Sequence, residues 1–339
     1  MSEATIRIMS PEEITARAGG ETKFLELPRR LDVFADRALR ARQLAAGHPM
    51  RDFLVFVADI ADQQHALLQS FPEIRLPDAE PLARAAKDAV APVTATDWPR
   101  DPAWREGLRR IVDGLRSRPL PGQAAETLAA LAHAPDDWLE RQADRLLNGV
   151  MIGLDLGAAP VLAAALQAYW TQLVLEVQRV HGDARPAPFG RTRDARRCPC
   201  CASRPTASIT RLDADTSGQR YLHCSLCSAE WHMVRIHCAG CGGNQHIAYQ
   251  ALEPNEGTTL PATGAAPGAV QAETCDDCGQ YLKIVHMVKD PQVDPVADDL
   301  ASVALDLLVA ETGKQRLGVN LMLLFGDAVA EADADPGGT

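Results

Sequence analysis

No cysteine occurs before Cys198 or after Cys278 in this 339-residue chain, so no thiol chemistry is open to its first half or to its C-terminus. A basic surplus is missing as well. The formal charge of -11 argues against a generic affinity for nucleic acid or anionic membranes, both of which reward positive surfaces. The opening stretch, MSEATIRIMSPEEITARAGGE, lacks the charged, apolar and small-residue order of a secretory signal and has no twin arginine, so the expected location is cytoplasmic. No apolar run is clean enough to cross a bilayer. The longest, LGAAPVLAAALQAYWTQLVLEV from Leu156, contains Pro160, Gln167, Thr171, Gln172 and Glu176 and reads as a buried core helix. Phosphate-binding glycine loops, nucleophile elbows and His-Glu-x-x-His are all absent, which points to a protein that is not an enzyme and has no small-molecule substrate.

What the first 183 residues do contain is Ala, Leu, Arg and Glu with apolar positions at helical spacing, the pattern of an all-helical domain. Ser10-Pro11-Glu12-Glu13 offers a capping box, and helices are expected over 28–46, 51–71, 79–91, 101–118, 122–133, 135–148 and 158–181. Phe53, Val57, Ile60, Leu67 and Leu68 form one apolar stripe; Trp104, Leu108, Ile111, Val112 and Leu115 form another. Residues 184–197, rich in Pro, Gly and Arg, read as a linker. Beyond it the helical period gives way to short β-type runs, RYLHC, EWHMVRIHC, HIAYQAL and YLKIVHMV. A helical period returns within 291–325, with Val296, Leu300, Val303, Ala304, Leu307 and Leu308 on one face and Gly313 as the stop, and residues 326–339 read as a disordered acidic tail.

All nine cysteines lie in the β-rich segment, eight of them as Cys-x-x-Cys: Cys198/Cys201, Cys224/Cys227, Cys238/Cys241 and Cys275/Cys278. Cytosolic thiol buffers disfavour structural disulfides, so metal binding is the better reading. Two intervening residues let both thiolates face one ion, which makes each pair half of a tetrahedral site. Chain order suggests a first module over 198–237 and a second over 238–290, each with four cysteines and one ion, although cross-pairing stays open. SAEWHMVRIH would then be one strand bridging two metals. Four-cysteine sites are most often closed zinc sites that support the fold, with rubredoxin-type iron the main rival; spacing alone does not choose. Cys-Pro-x-Cys at Cys198 has the form of a rubredoxin knuckle, and glycine follows Cys241 and Cys278, whereas Ala202 and Ser228 depart from it.

Cys200 reads as a small buried residue; His223, His232, His237, His246 and His286 read as strand residues or donors beside the sites; Trp231 and Tyr281 read as small-core fillers. Arg191, Arg193, Arg196, Arg197, Arg204 and Arg211 around the first knuckle raise a nucleic-acid-binding zinc ribbon as an alternative, which the acidic balance opposes; a rubredoxin-type electron carrier is the other. Asp276-Asp277 and Asp298-Asp299 either receive a basic partner segment or, for the second pair, favour a helix N-terminus.

The four pairs in this order, the acidic CDDCG of the last, and the stretches RYLHCSLCSAEWHMVRIHCAGC (220–241), AETCDDCGQYLKI (272–284) and VADDLASVALDLLVAETG (296–313) resemble the FdhE proteins of formate dehydrogenase formation. The resemblance implies a cytoplasmic assembly factor that contacts the catalytic subunit of respiratory formate dehydrogenase. It also implies a rubredoxin-like domain holding iron through Cys198, Cys201, Cys224, Cys227, Cys238, Cys241, Cys275 and Cys278, which shifts the expected metal from zinc to iron. CPCCA at the first motif departs from the commoner family pattern. The expected architecture is thus multi-domain: an all-α N-terminal domain, two rubredoxin-like or zinc-ribbon-like four-cysteine modules, and a C-terminal helix, in a monomer.

Overall fold

The computed structural model describes residues 22–120, 122–212, 218–252 and 265–324; the Ser10–Glu13 capping box and the 326–339 tail lie outside them. Helices α1 (Val33–Ala45), α2 (Arg51–Gln69), α3 (Ala79–Asp88), α4 (Ala103–Arg116), α5 (Gly122–Ala132), α6 (Asp136–Asn148) and α7 (Ala159–His181) follow the apolar periodicity of the sequence closely. Their boundaries have local causes. Asp136 and Asp137 sit in the first turn of α6, at the positive end of its dipole, and Gly149 ends that helix in the left-handed region at φ 69°. Both expected stripes turn inward, with all five residues of the Trp104–Leu115 stripe buried.

α7 is the axis of this half, packed by α2, α4 and α6. The polar residues that disqualified it as a lipid span are its connections to the rest of the protein. Gln172 and Glu176 receive Arg30, at 2.7 and 3.0 Å, while Gln167 and Thr171 reach into the cysteine-rich region. Among the described residues no helix is long and apolar enough to cross a membrane.

The strands are β1 (Leu25–Glu26), β2 (Pro205–Thr210), β3 (Arg220–Cys224), β4 (Glu230–His232), β5 (Ile247–Gln250), β6 (Val270–Cys275), β7 (Gln280–His286) and β8 (Gln315–Arg316). They join in one sheet of order β1-β4-β3-β2-β7-β6-β5, with β8 also on β7. The two cysteine regions meet at the parallel β2–β7 pair, with Ser208 opposite Ile284 and Thr210 opposite His286. His286 links three strands there, bonded to Thr210 and Gln271; burial pulls its imidazole down to about 4, so it is neutral. The expected bridging strand is cut to the three residues of β4, because the chain turns after Met233 toward the next knuckle. The segment 184–197 has neither helix nor strand, yet Phe189 is buried, Arg193 N–H donates to Ala89 and Ala195 O accepts from Trp231.

The C-terminal helix expected as one piece is two, α8 (Ala297–Ala301) and α9 (Val303–Glu311), broken at Ser302. Its apolar stripe fails after the break. Leu305 and Val309 face inward, while Leu307 and Leu308 are 61% and 51% exposed. A buried ionic network decides this. Lys283 on β7 reaches Asp299 and Asp306 at 2.9 and 2.6 Å and the Asp299 carbonyl at 2.6 Å. Arg316 pairs with the same carboxylates, and Tyr281 and Asn320 donate to Asp306 and Asp299. Asp298 points the other way, onto both the Nε and Nη2 of Arg40 from α1 at 2.9 and 2.7 Å. Asp298 and Asp299 are each 1% exposed, so neither receives a partner segment.

Burial pushes the Asp298 carboxyl up to about 6 even with Arg40 against it. Arg40→Met should therefore cost about 3–5 kcal/mol by urea denaturation above pH 7, since it strands a buried carboxylate. The folded-state value lies above the unfolded one, and it rises further in the variant, so the deficit narrows as pH falls and the buried carboxyl takes up a proton. A loss that is small or independent of pH would show that Asp298 does not depend on Arg40.

Candidate metal centres

Each cysteine pair sits on a tight turn, and in the second and third the backbone amides face the sulfurs. In the knuckle that follows β3, the N–H groups of Leu226 and Cys227 lie 3.4 Å from Cys224 Sγ; in the third, Gly240 N–H lies 3.3 Å from Cys238 Sγ and Gly243 N–H 3.4 Å from Cys241 Sγ. The turn closes when the residue after the second cysteine enters the left-handed region: Ala202 at φ 60°, Ser228 at 57°, Gly242 at 77° and Gly279 at 69°. All four knuckles thus share one conformation, although two of them lack the glycine that accepts it without cost.

The structure brings the eight paired cysteines together as two groups, Cys198, Cys201, Cys224 and Cys227, and Cys238, Cys241, Cys275 and Cys278, the sulfurs of each lying within 4.8 Å of one another. The motifs pair in chain order, first with second and third with fourth. In the first group Cys198–Cys227 is 3.5 Å, Cys201–Cys224 3.4 Å and Cys201–Cys227 3.6 Å; in the second Cys238–Cys278 is 3.7 Å and Cys241–Cys275 3.9 Å. Metal–sulfur bonds of about 2.3 Å in a tetrahedron separate sulfurs by about 3.8 Å, so both groups fit one ion. Disulfide bonding, at about 2.0 Å, does not fit.

The thiols differ in how readily they ionise. Burial and the surrounding thiols push Cys224 and Cys227 well above the ordinary thiol range. Burial opposes ionisation of Cys198 too, but four neighbouring thiols turn toward it and hold it well below that range. Four thiolates packed this closely away from water repel one another and require a cation among them. In the second group burial pushes Cys238 up to about 12, whereas the Gly243 N–H lowers Cys241. Iron and zinc both accept such a tetrahedron.

The groups differ in setting. The first is part of the main core, and its backbone is held by the helical half: Gln167 donates to Ser225 O at 2.8 Å, Thr171 to Cys227 O, and the N–H groups of Val93 and Ala95 to Cys200 O and Cys201 O at 3.2 and 2.8 Å. These four contacts carried no sequence signal beyond polar residues on an apolar helix. The second group lies at the surface, with Cys241 exposed and Cys278 half-buried.

Cys200 is fully buried beside the first group, in keeping with its reading as a small core residue. None of the five histidines joins a thiol group: His223 bonds Glu230 and His246 bonds Asp277, for example. Trp231 and Tyr281 are buried. Asp276 and Asp277 stay at the surface by the second group, bonded to Lys314 and His246. Of the flanking arginines, Arg211 pairs with Glu230, Arg196 with Asp194, and Arg191 stacks 4.3 Å over Phe24.

A helical domain docked on one sheet that carries two four-cysteine groups defines a protein with two clusters that could each hold a metal ion. Known proteins divide in the same way. The FdhE N-terminal family model matches residues 22–184, the central-domain model 197–235 and the C-terminal-domain model 236–323. An FdhE homolog of Edwardsiella ictaluri is 36% identical over 327 residues, covering 95% of this chain and 100% of the relative. The FdhE protein of Salmonella paratyphi A is 34% identical over 326 residues, covering 95% and 99%. The crystal structure of the FdhE protein from Pseudomonas aeruginosa matches with a TM-score of 0.76 at 35% identity, over 90% of this chain and all of that one. The chain belongs to the FdhE family.

The knuckle conformation predicts opposite effects at equivalent positions. Ala202→Gly relieves a left-handed alanine and should raise stability by up to about 1 kcal/mol, whereas Gly242→Ala should lower it by about 1 kcal/mol. Thermal unfolding of the metal-loaded variants checks the pair, and equal signs would contradict a shared turn.

Proposed function

We propose that this chain is a cytoplasmic, non-enzymatic assembly factor for respiratory formate dehydrogenase, which it engages at the catalytic subunit through or beside its metal region. The observation that carries the reading is the combination of FdhE family membership along nearly the whole chain with two four-thiol groups, one of them at the surface. In this reading Cys198, Cys201, Cys224 and Cys227 hold one ion, and Cys238, Cys241, Cys275 and Cys278 hold a second. Iron is favoured and zinc is the alternative. In this reading, buried thiolates around a cation fix the sheet.

The test is an anaerobic pull-down of tagged protein from its own cells grown on formate, beside a Cys238→Ser/Cys241→Ser variant. The formate dehydrogenase catalytic subunit should come down with the wild type and be lost with the variant. Nucleic acid or a reductase in its place would overturn the assembly role in favour of a zinc ribbon or an electron carrier. Elemental analysis of the same anaerobic material should find two ions per chain, one for each thiol group, and folded protein without metal would remove the cofactor reading.

A further inference from the structure

The two thiol groups share a turn and differ in almost everything around it. All four cysteines of the first are buried, and the carbonyls of Cys200, Cys201, Ser225 and Cys227 are tied to the helical half. Freeing an ion there requires detaching both knuckles from α7 and from the 93–95 segment, which amounts to opening the main core. Among the described residues the second group has less cover, although Ala239 of its first knuckle is buried in the main core. Cys241 is exposed, Cys278 is half-buried, and a Cβ placed on Gly242 or Gly279 would meet open space. Its external ties are Arg196 to Gly240 O at 3.2 Å, Lys314 to Cys275 O at 3.4 Å, and Gln315 N–H to Gly279 O at 2.8 Å. Arg196 is itself exposed.

We propose that the second site is an exchange site, at which an external soft sulfur ligand can enter the coordination sphere of the bound metal by displacing Cys241, while the first site is permanently closed. The proposal rests on the two-metal reading above. The step would be a ligand substitution without change of oxidation state: the entering thiol would bind the metal as thiolate and give up its proton, through solvent, to the Cys241 thiolate it displaces. Cys241 leaves first because its sulfur faces solvent. Cys238 and Cys275, both buried, stay bound longest.

Anaerobically isolated full-length protein, first assayed for metal content, is treated with excess glutathione plus a chromogenic chelator. Released metal is followed by absorbance, and alkylated cysteines are mapped by mass spectrometry after iodoacetamide pulses. Two metals per chain at the start should leave in two phases, one ion in each, with the fast phase roughly tenfold or more ahead of the slow one. Label should appear first on Cys241, then on Cys278, with Cys198, Cys201, Cys224 and Cys227 protected until the helices melt. Cys241→Ser should speed the fast phase with unchanged helical circular dichroism. Cys238→Ser/Cys241→Ser should abolish the fast phase and leave the slow one intact. A single phase for both ions, or first labelling within the Cys198 group, would overturn the exchange site while leaving the two-metal reading in place. Fewer than two ions at the start would overturn the metal reading, and the exchange site with it.

Discussion

Four thiols at the centre of a protein core are the constraint on which the rest of this structure depends. Cys198, Cys201, Cys224 and Cys227 come from two knuckles about a strand pair apart, and all four are buried in the same cluster as the helical residues. Burying even one uncompensated anion costs several kcal/mol, and here the sulfurs are too close for each to ionise alone. A shared cation, as proposed, would resolve that repulsion and tie the two halves together. The helical side is built to receive it. Gln167 and Thr171 are four residues apart on α7, so they project from one face and meet the Ser225 and Cys227 carbonyls of the second knuckle. Gln167 also accepts from Gln64 of α2, which extends the tie into the helical core.

A second tie, ionic in character, fastens the C-terminal helices. Lys283 and Arg316 face Asp299 and Asp306 in a buried group to which Tyr281, Ser302 and Asn320 all contribute hydrogen bonds. Burial pushes the Tyr281 phenol up, so it remains a donor to Asp306. Such groups add little net stability beside an apolar packing of the same volume, but each member is exacting about geometry. The break at Ser302 follows from that demand. The Ser302 hydroxyl turns back to the carbonyl of Asp298, and Lys283 takes the carbonyl of Asp299, so the helix opens where β7 needs its backbone.

The sequence was legible where local rules act alone. Helices α1 to α7 could be placed because their apolar stripes repeat at the helical period, and the thiol groups because four Cys-x-x-Cys turns admit few arrangements. Strands β2 and β6 carried no comparable signal. PTASIT and VQAETC are small and polar, yet every residue of β2 is buried, since parallel and antiparallel neighbours cover both its edges. Periodicity also misled at 296–308: six apolar residues at helical spacing described one continuous face, but the neighbouring Asp298, Asp299 and Asp306 decided which residues turn inward. Ala202 and Ser228 show the reverse case. Their side chains disfavour the left-handed turn, and convergence of the cysteines on one point imposes it regardless.

The asymmetry between the thiol groups follows from how the sheet is assembled. Both occupy equivalent knuckles, and the parallel β2–β7 pair places their strands in one continuous sheet. α7 and the 93–95 segment cover the first of them, whose knuckle carbonyls, among the described residues, have polar partners on the helical half. The second group is supported from beneath by β6 and β7 and at one side by β8, an arrangement that fixes its backbone without enclosing its sulfurs. The first group thereby lies where the two halves meet. The second group keeps the same sulfur geometry at the surface, with Cys241 exposed, although Ala239 of its first knuckle is buried in the main core.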